Sequence, residues 1–141
     1  MTAPRTARRD WTRSVGLAAG AFFVAFGLWA MVAPHSFFDT VAEFTPYNRH
    51  FVQDIGAFQI GLGAVLLLAA VREASDALAV GLLGVGAGSG AHVVSHLVGH
   101  DLGGRPEVDI PLFLAVTVLL LAAGAVRWRD TAERHPRARA R

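Results

Sequence analysis

Gly81-Leu82-Leu83-Gly84-Val85-Gly86-Ala87-Gly88-Ser89-Gly90-Ala91-His92-Val93-Val94-Ser95-His96-Leu97-Val98 contains no Asp, Glu, Lys or Arg. With the residues from Ala77 onward it makes an apolar run of the ~20 residues that cross a hydrocarbon core at 1.5 Å rise per residue. A lipid core admits only helices or closed barrels, because every backbone N–H and C=O must be paired within the protein. The run lacks the strict alternation of a barrel strand. It predicts a transmembrane helix.

Working outward, residues 15–33, 51–71 and 110–126 repeat the pattern. The last is the shortest, but Pro111 suits a first helical turn and Trp128 extends the run with an interfacial anchor. The whole chain agrees, with 141 residues, 53% hydrophobic and only 17% charged. Such a balance is too apolar for an ordinary soluble domain. The expected fold is all-α, a single-domain integral membrane four-helix bundle of up-down-up-down order. Its helices fall at about 13–34, 50–72, 76–99 and 109–128, with basic tails at 1–12 and 130–141.

All 13 basic residues are arginine, and their placement sets the orientation. Arg5, Arg8, Arg9, Arg13, Arg72 and the six from Arg127 to Arg141 lie on one side, against only Arg49 and Arg105 on the other. By the positive-inside rule both termini are cytoplasmic. The expected location is the plasma membrane, multi-pass, with the lipid bilayer as partner and a homo-oligomer or a membrane partner protein as further candidates. The basic ends read as topology signals, so no nucleic acid is expected. Arg8-Arg9 before an apolar run resembles a signal peptide, but the run is long and Met31-Val32-Ala33 is a poor small-x-small cleavage site, which favours an uncleaved anchor. The chain has no cysteine, which removes disulfides, thiolate metal sites and iron–sulfur clusters.

The links carry their own signals. Glu73-Ala74-Ser75-Asp76 is a tight cytoplasmic turn in which Ser75 and Asp76 suit a helix start, making the second and third helices antiparallel neighbours. The first outer link places Phe37, Phe38, Val41 and Phe44 on one side, as a short interfacial helix capped by Ser36 would. The second outer link contains Gly103-Gly104 and Arg105-Pro106 and reads as a flexible loop. Within the third helix, Gly84/Gly88 and Gly86/Gly90 are small-xxx-small pairs. With Gly81, and Gly61 on the second helix, they predict close helix packing.

Ionisable residues at membrane depth are costly and point to function. His92, His96 and His100 recur every four residues and form a ladder on one helix face. His50 and Asp54, also four apart, begin the second helix at the same bilayer level. A cluster of His50, Asp54, His92, His96 and His100 is therefore geometrically allowed, with His35 nearby. Imidazole and carboxylate are ligands for a transition metal, haem included. They can equally relay protons or bind a quinone. They can also simply meet helix dipoles and free carbonyls at hydrated helix ends, with Ser89 or Asn48 satisfying His92, or contact lipid headgroups. Ser95 and His96 point about 100° apart and do not make a serine–base pair.

The run Pro46-Tyr47-Asn48-Arg49-His50-Phe51-Val52-Gln53-Asp54-Ile55-Gly56-Ala57, followed by an apolar helix and then His92-x-x-x-His96, resembles a group of small actinobacterial four-helix membrane proteins, broadly DoxX-like. The resemblance covers roughly residues 34–101. It implies a compact four-helix bundle with His50, Asp54, His92 and His96 as its signature positions. DoxX-type relatives are linked with quinone or thiol redox systems, and the absence of cysteine speaks against the thiol branch. The leading expectation is a binding or accessory membrane protein whose His/Asp cluster holds a metal ion or small ligand at the outer face. The alternatives are a membrane oxidoreductase or subunit using the same residues for haem, metal or quinone, and an accessory protein whose histidines are structural. Whether it is an enzyme is left open.

Overall fold

A computed structural model of the chain describes residues 5–72 and 75–133. They form α1 (Arg5–Val32), α2 (Pro34–Phe37) running into a π-helical turn (Phe38–Ala42), α3 (Arg49–Val71), α4 (Ser75–Val98) and α5 (Pro106–Ala132), with no strand among the described residues. Four of these helices are long and apolar enough to cross a membrane. The links at 33–48 and 99–105 share one end of the bundle, called distal here. The opposite, proximal end holds the first turns of α1 and the last of α5.

The middle two helices begin and end within one residue of expectation, and the outer two are longer. The basic stretch from Arg5 is already helical, and α5 runs on to Ala132 with Asp130 and Thr131 buried. Residues 130–132, expected as the start of the basic tail, thus belong to α5; the rest of that tail, from residue 134, lies outside the described residues. At its start α5 gains a turn because Pro106 occupies the first helical position and the Asp109 carboxylate reaches back to accept from the Arg105 backbone N–H at 2.8 Å. The Asn48 side chain caps α3 by accepting from the Phe51 N–H. The expected Ser75 cap falls beside residues 73–74, outside the described residues.

The helices pair unequally. α1 and α3 run antiparallel in backbone contact: a Cβ added to Gly27 would stand 2.6 Å from the Gly56 carbonyl, and one added to Gly63 would stand 2.6 Å from that of Gly20. Such approach is open only to glycine, and dispersion between the two backbones replaces the hydrophobic drive that lipid removes. α4 and α5 form the second close pair, with Gly86 against Leu120 and Leu121 and Gly124 against Leu83. The two pairs meet in a core of Phe23, Leu66, Leu78, Leu82 and Leu120.

Within one chain the close helix contacts fall on other glycines than Gly61, Gly81, Gly84 and Gly88. Gly61, Gly84 and Gly88 have nothing within 4 Å of a Cβ position, and Gly81 makes only ordinary contacts from 3.6 Å. The face of α4 that meets α5 carries Gly86 and Gly90 instead, so the Gly84/Gly88 ridge is left uncovered within the chain. Nor do α3 and α4, although consecutive, pack as closely as either pair. Between them runs an apolar groove of about 780 Å³ lined by Leu62, Val65, Leu68, Val80, Gly81 and Gly84 among others.

The first distal link is helical, as expected, but is not capped by Ser36. Pro34 starts it, the Ser36 carbonyl accepts from Thr40 Oγ1 at 2.7 Å, and Ser36 Oγ accepts from Trp29 Nε1 at 3.3 Å. Phe37, Phe38, Val41 and Phe44 fold onto Phe26, Ala30 and Val52, sealing the distal end of the α1–α3 pair. The second distal link is tied to the first and is not free: Arg105 donates to the Thr40 carbonyl at 2.8 Å and sits 3.8 Å from the Glu43 carboxylate. Gly103 lies against Glu43 and Phe44 with φ of 125°, a left-handed conformation that favours glycine. Trp128 is exposed on the last turns of α5.

Candidate functional site

Three pairs of ionisable side chains sit at the distal end, each four residues apart on one helical segment. His35 Nδ1 meets Asp39 Oδ2 at 2.9 Å, His50 Nε2 meets Asp54 Oδ2 at 3.5 Å, and His92 Nε2 meets His96 Nε2 at 3.1 Å. Each pair closes on itself. Among the described residues no three His, Asp or Glu side chains are placed to hold a metal ion together. The five-residue cluster expected from the sequence is therefore not assembled in one chain. His50 and Asp54 ride on α3, which is locked to α1, while His92 and His96 ride on α4, which is locked to α5. His100 is exposed in the turn beyond α4.

The His92–His96 pair differs from the other two in its surroundings. The His92 ring stacks on Phe113 of α5, with centroids 4.4 Å apart and planes 26° from parallel, and His96 rests on the same ring at 4.9 Å. One turn deeper, Thr117 Oγ1 donates to Ser89 Oγ at 3.0 Å. One turn toward the distal end, Asp109 lies within electrostatic reach of His92 while its Oδ2 is held by the Arg105 N–H. Asp109, Phe113 and Thr117, spaced by four on α5, thus run beside His96, His92 and Ser89 on α4. The seam is a polar ladder inside an otherwise apolar pair.

Neither serine nor asparagine serves His92 as expected: Ser89 is bound to Thr117, and Asn48 caps α3. Ser95 Oγ donates to the His92 carbonyl at 2.8 Å, the usual i−3 bond of a serine within a helix. Phe113, Thr117 and Asp109 were missed as site residues in the sequence. The signal that reveals them is Asp109-x-x-x-Phe113-x-x-x-Thr117, which puts all three on one face of α5.

Chemically, the pair offers two imidazole nitrogens converging on one point, with Phe113 fixing both rings. Either one N–H donates to the other nitrogen, or both lone pairs face a common electrophile. Two nitrogens on one ion at 2.0–2.1 Å stand about 2.9 Å apart at a right angle and about 3.4 Å apart at the tetrahedral angle. The observed 3.1 Å lies between these. No family model, no curated protein and no solved structure matches the chain.

Proposed function

We propose that this chain is a binding protein of the bacterial plasma membrane, both termini cytoplasmic, that holds a transition-metal ion through His92 and His96 near its outer face. The observation that carries the reading is the 3.1 Å separation of the two Nε2 atoms with Phe113 packed flat against His92. The other two pairs join a histidine to a carboxylate. Among the three, only this one presents two imidazole nitrogen donors. The arginine distribution supports the orientation, and the DoxX-like resemblance supports His92 and His96 as positions of consequence.

A second reading, a membrane oxidoreductase subunit that binds a quinone ring at the same residues, draws on Phe113. An aromatic face beside two hydrogen-bonding imidazoles suits a flat carbonyl-bearing ring, and lipid gives such a ring direct access.

The test is a titration of detergent-purified protein with Co²⁺, followed by absorption, and with Zn²⁺, followed by metal analysis. Wild type binds the ion, His92→Ala and His96→Ala lose it, and His35→Ala retains it. Binding undiminished by the double substitution His92→Ala/His96→Ala overturns the assignment. Bound quinone with no metal in wild type favours the second reading.

A further inference from the structure

The distal end carries a recess that the histidine pair on α4 does not share. Its volume is about 470 Å³, within the ~300–1,000 Å³ usual for small-molecule sites, and Ala33, Pro34, His35, Ser36, Tyr47 and Arg49 line it. It lies where α1 ends and α3 begins, the level at which lipid headgroups meet a membrane-spanning bundle. His35 and Ser36 come from the start of the first distal link, Tyr47 from its end, and Arg49 opens α3.

Three of the four polar groups are hydrogen-bond donors, and no carboxylate lines the recess. Trp29 Nε1 donates to Ser36 Oγ at 3.3 Å, so the serine's own O–H is left for another acceptor. Asp39 holds His35 Nδ1 at 2.9 Å, which leaves Nε2 as the free ring nitrogen, and the His35 ring packs on Tyr47 with centroids 4.8 Å apart. Neither the Tyr47 hydroxyl nor the Arg49 guanidinium meets a hydrogen-bond or ion-pair partner among the described residues. Of the described arginines only Arg49 and Arg105 stand at the distal end, and Arg105 is engaged by the Thr40 carbonyl and the Glu43 carboxylate. The nearest carboxylates along the chain from these residues, Asp39 and Asp54, are each joined to a histidine. Arg49 therefore brings to the recess a positive charge that no anion of the chain answers.

We infer that the recess binds a phosphate anion, carried by a lipid headgroup or by a soluble phosphate ester, with Arg49 as the charged ligand and Tyr47 and Ser36 as hydrogen-bond donors. The guanidinium fork matches the paired oxygens of a phosphate, and such charge-assisted bonds are about twice as strong as neutral ones. Tyr47 is anchored by ring contacts with His35 and Phe38, the role of an aromatic residue whose polar tip sits at the membrane interface. Val32, the last residue of α1, and Phe51, in the first turn of α3, are exposed apolar side chains, so the acyl chains of a lipid held here would have an apolar surface to follow.

The test is calorimetric titration of the detergent-purified full chain with three probes: dihexanoylphosphatidylglycerol below its micelle-forming concentration, glycerol 3-phosphate, and dihexanoylglycerol, which lacks the phosphate. The expected result is binding of a phosphate-bearing probe and none of dihexanoylglycerol. Glycerol 3-phosphate binding as tightly as the lipid assigns a soluble ester, and binding of the lipid alone assigns a headgroup. Arg49→Gln should weaken that binding by about ten- to a hundred-fold, the loss of a bond to a charged group. Tyr47→Phe, which keeps the ring and removes only the hydroxyl, should weaken it by about five-fold and decides alone if Arg49→Gln does not fold. Arg72→Gln, the same loss of charge at the proximal end, should stay within about two-fold because salt screens so distant a charge. Equal losses in Arg49→Gln and Arg72→Gln, full affinity in Tyr47→Phe, binding of dihexanoylglycerol as tight as that of the phosphate probes, or no binding of any probe overturns the inference.

Discussion

The α1–α3 and α4–α5 pairs are built from helices of similar length and apolarity, yet they are held in different ways. α1 and α3 touch backbone to backbone at Gly20/Gly63 and Gly27/Gly56, and side chains at their seam tie the two backbones together: Gln53 donates to the Met31 carbonyl and Arg13 to the Ala70 carbonyl. α4 and α5 spend their seam on Ser89–Thr117, His92–Phe113–His96 and Asp109. Polar contacts between membrane helices contribute only modestly, so a seam that gives space to them trades packing for chemistry. On the proposed reading the first pair is scaffold and the second carries the candidate site.

Breaking the scaffold has the largest expected effect. Gly27→Ala forces a Cβ into the Gly56 carbonyl and should lower unfolding stability by about 2–3 kcal/mol, read by denaturant titration in detergent. The same change at Gly61, where nothing lies within 4 Å, should leave stability unchanged or raise it by up to about 1 kcal/mol through helix propensity. Equal losses at both would erase the contrast between locked and open glycines. Next comes Phe113→Ala, which removes the ring that orients both imidazoles. Outer partners of metal ligands typically matter 10–100-fold, so Zn²⁺ affinity should fall by about that factor with the fold intact by circular dichroism. Phe113→Tyr should restore most of it.

Smaller effects sharpen the comparison. Thr117→Val deletes the hydroxyl bond to Ser89 and should cost about 0.6 kcal/mol, the usual size for such bonds between membrane helices. Arg105→Ala releases the contact between the two distal links and should cost about 0.5–1 kcal/mol in stability. Because the link is separate from the histidine pair, metal affinity should stay within two-fold. A large loss of affinity there would mean that the link, and not the α4–α5 seam, holds the site.

Much of this was legible in the sequence. Four spans follow from the apolar runs, and the i, i+4 histidine pairs are local signals that need no tertiary information. The helix starts are less legible: Pro106, not Pro111, begins α5 and leaves Pro111 inside the helix, and Asn48 caps α3 instead of serving His92. What hydropathy does not reveal is which face of an all-apolar helix meets a neighbour, since lipid and protein interior are equally apolar. Gly84/Gly88 and Gly86/Gly90 look alike in sequence, yet only the second pair faces α5. The seven-residue spacing of Gly20 and Gly27, matched by Gly56 and Gly63, was the better clue. Depth likewise does not give direction around the bundle. His50 and Asp54 were expected level with His96 and His100, but α3 and α4 belong to different pairs, so equal height does not make one cluster.

The central claim, that the histidine pair on the α4–α5 side binds the ion and the His/Asp pair on the α1–α3 side does not, is tested most directly by one titration. Zn²⁺ binding is measured side by side for wild type, His92→Ala/His96→Ala and His50→Ala/Asp54→Ala. The account predicts at least a 100-fold loss of affinity in the first double variant and less than two-fold change in the second. Loss in the second with retention in the first would contradict it.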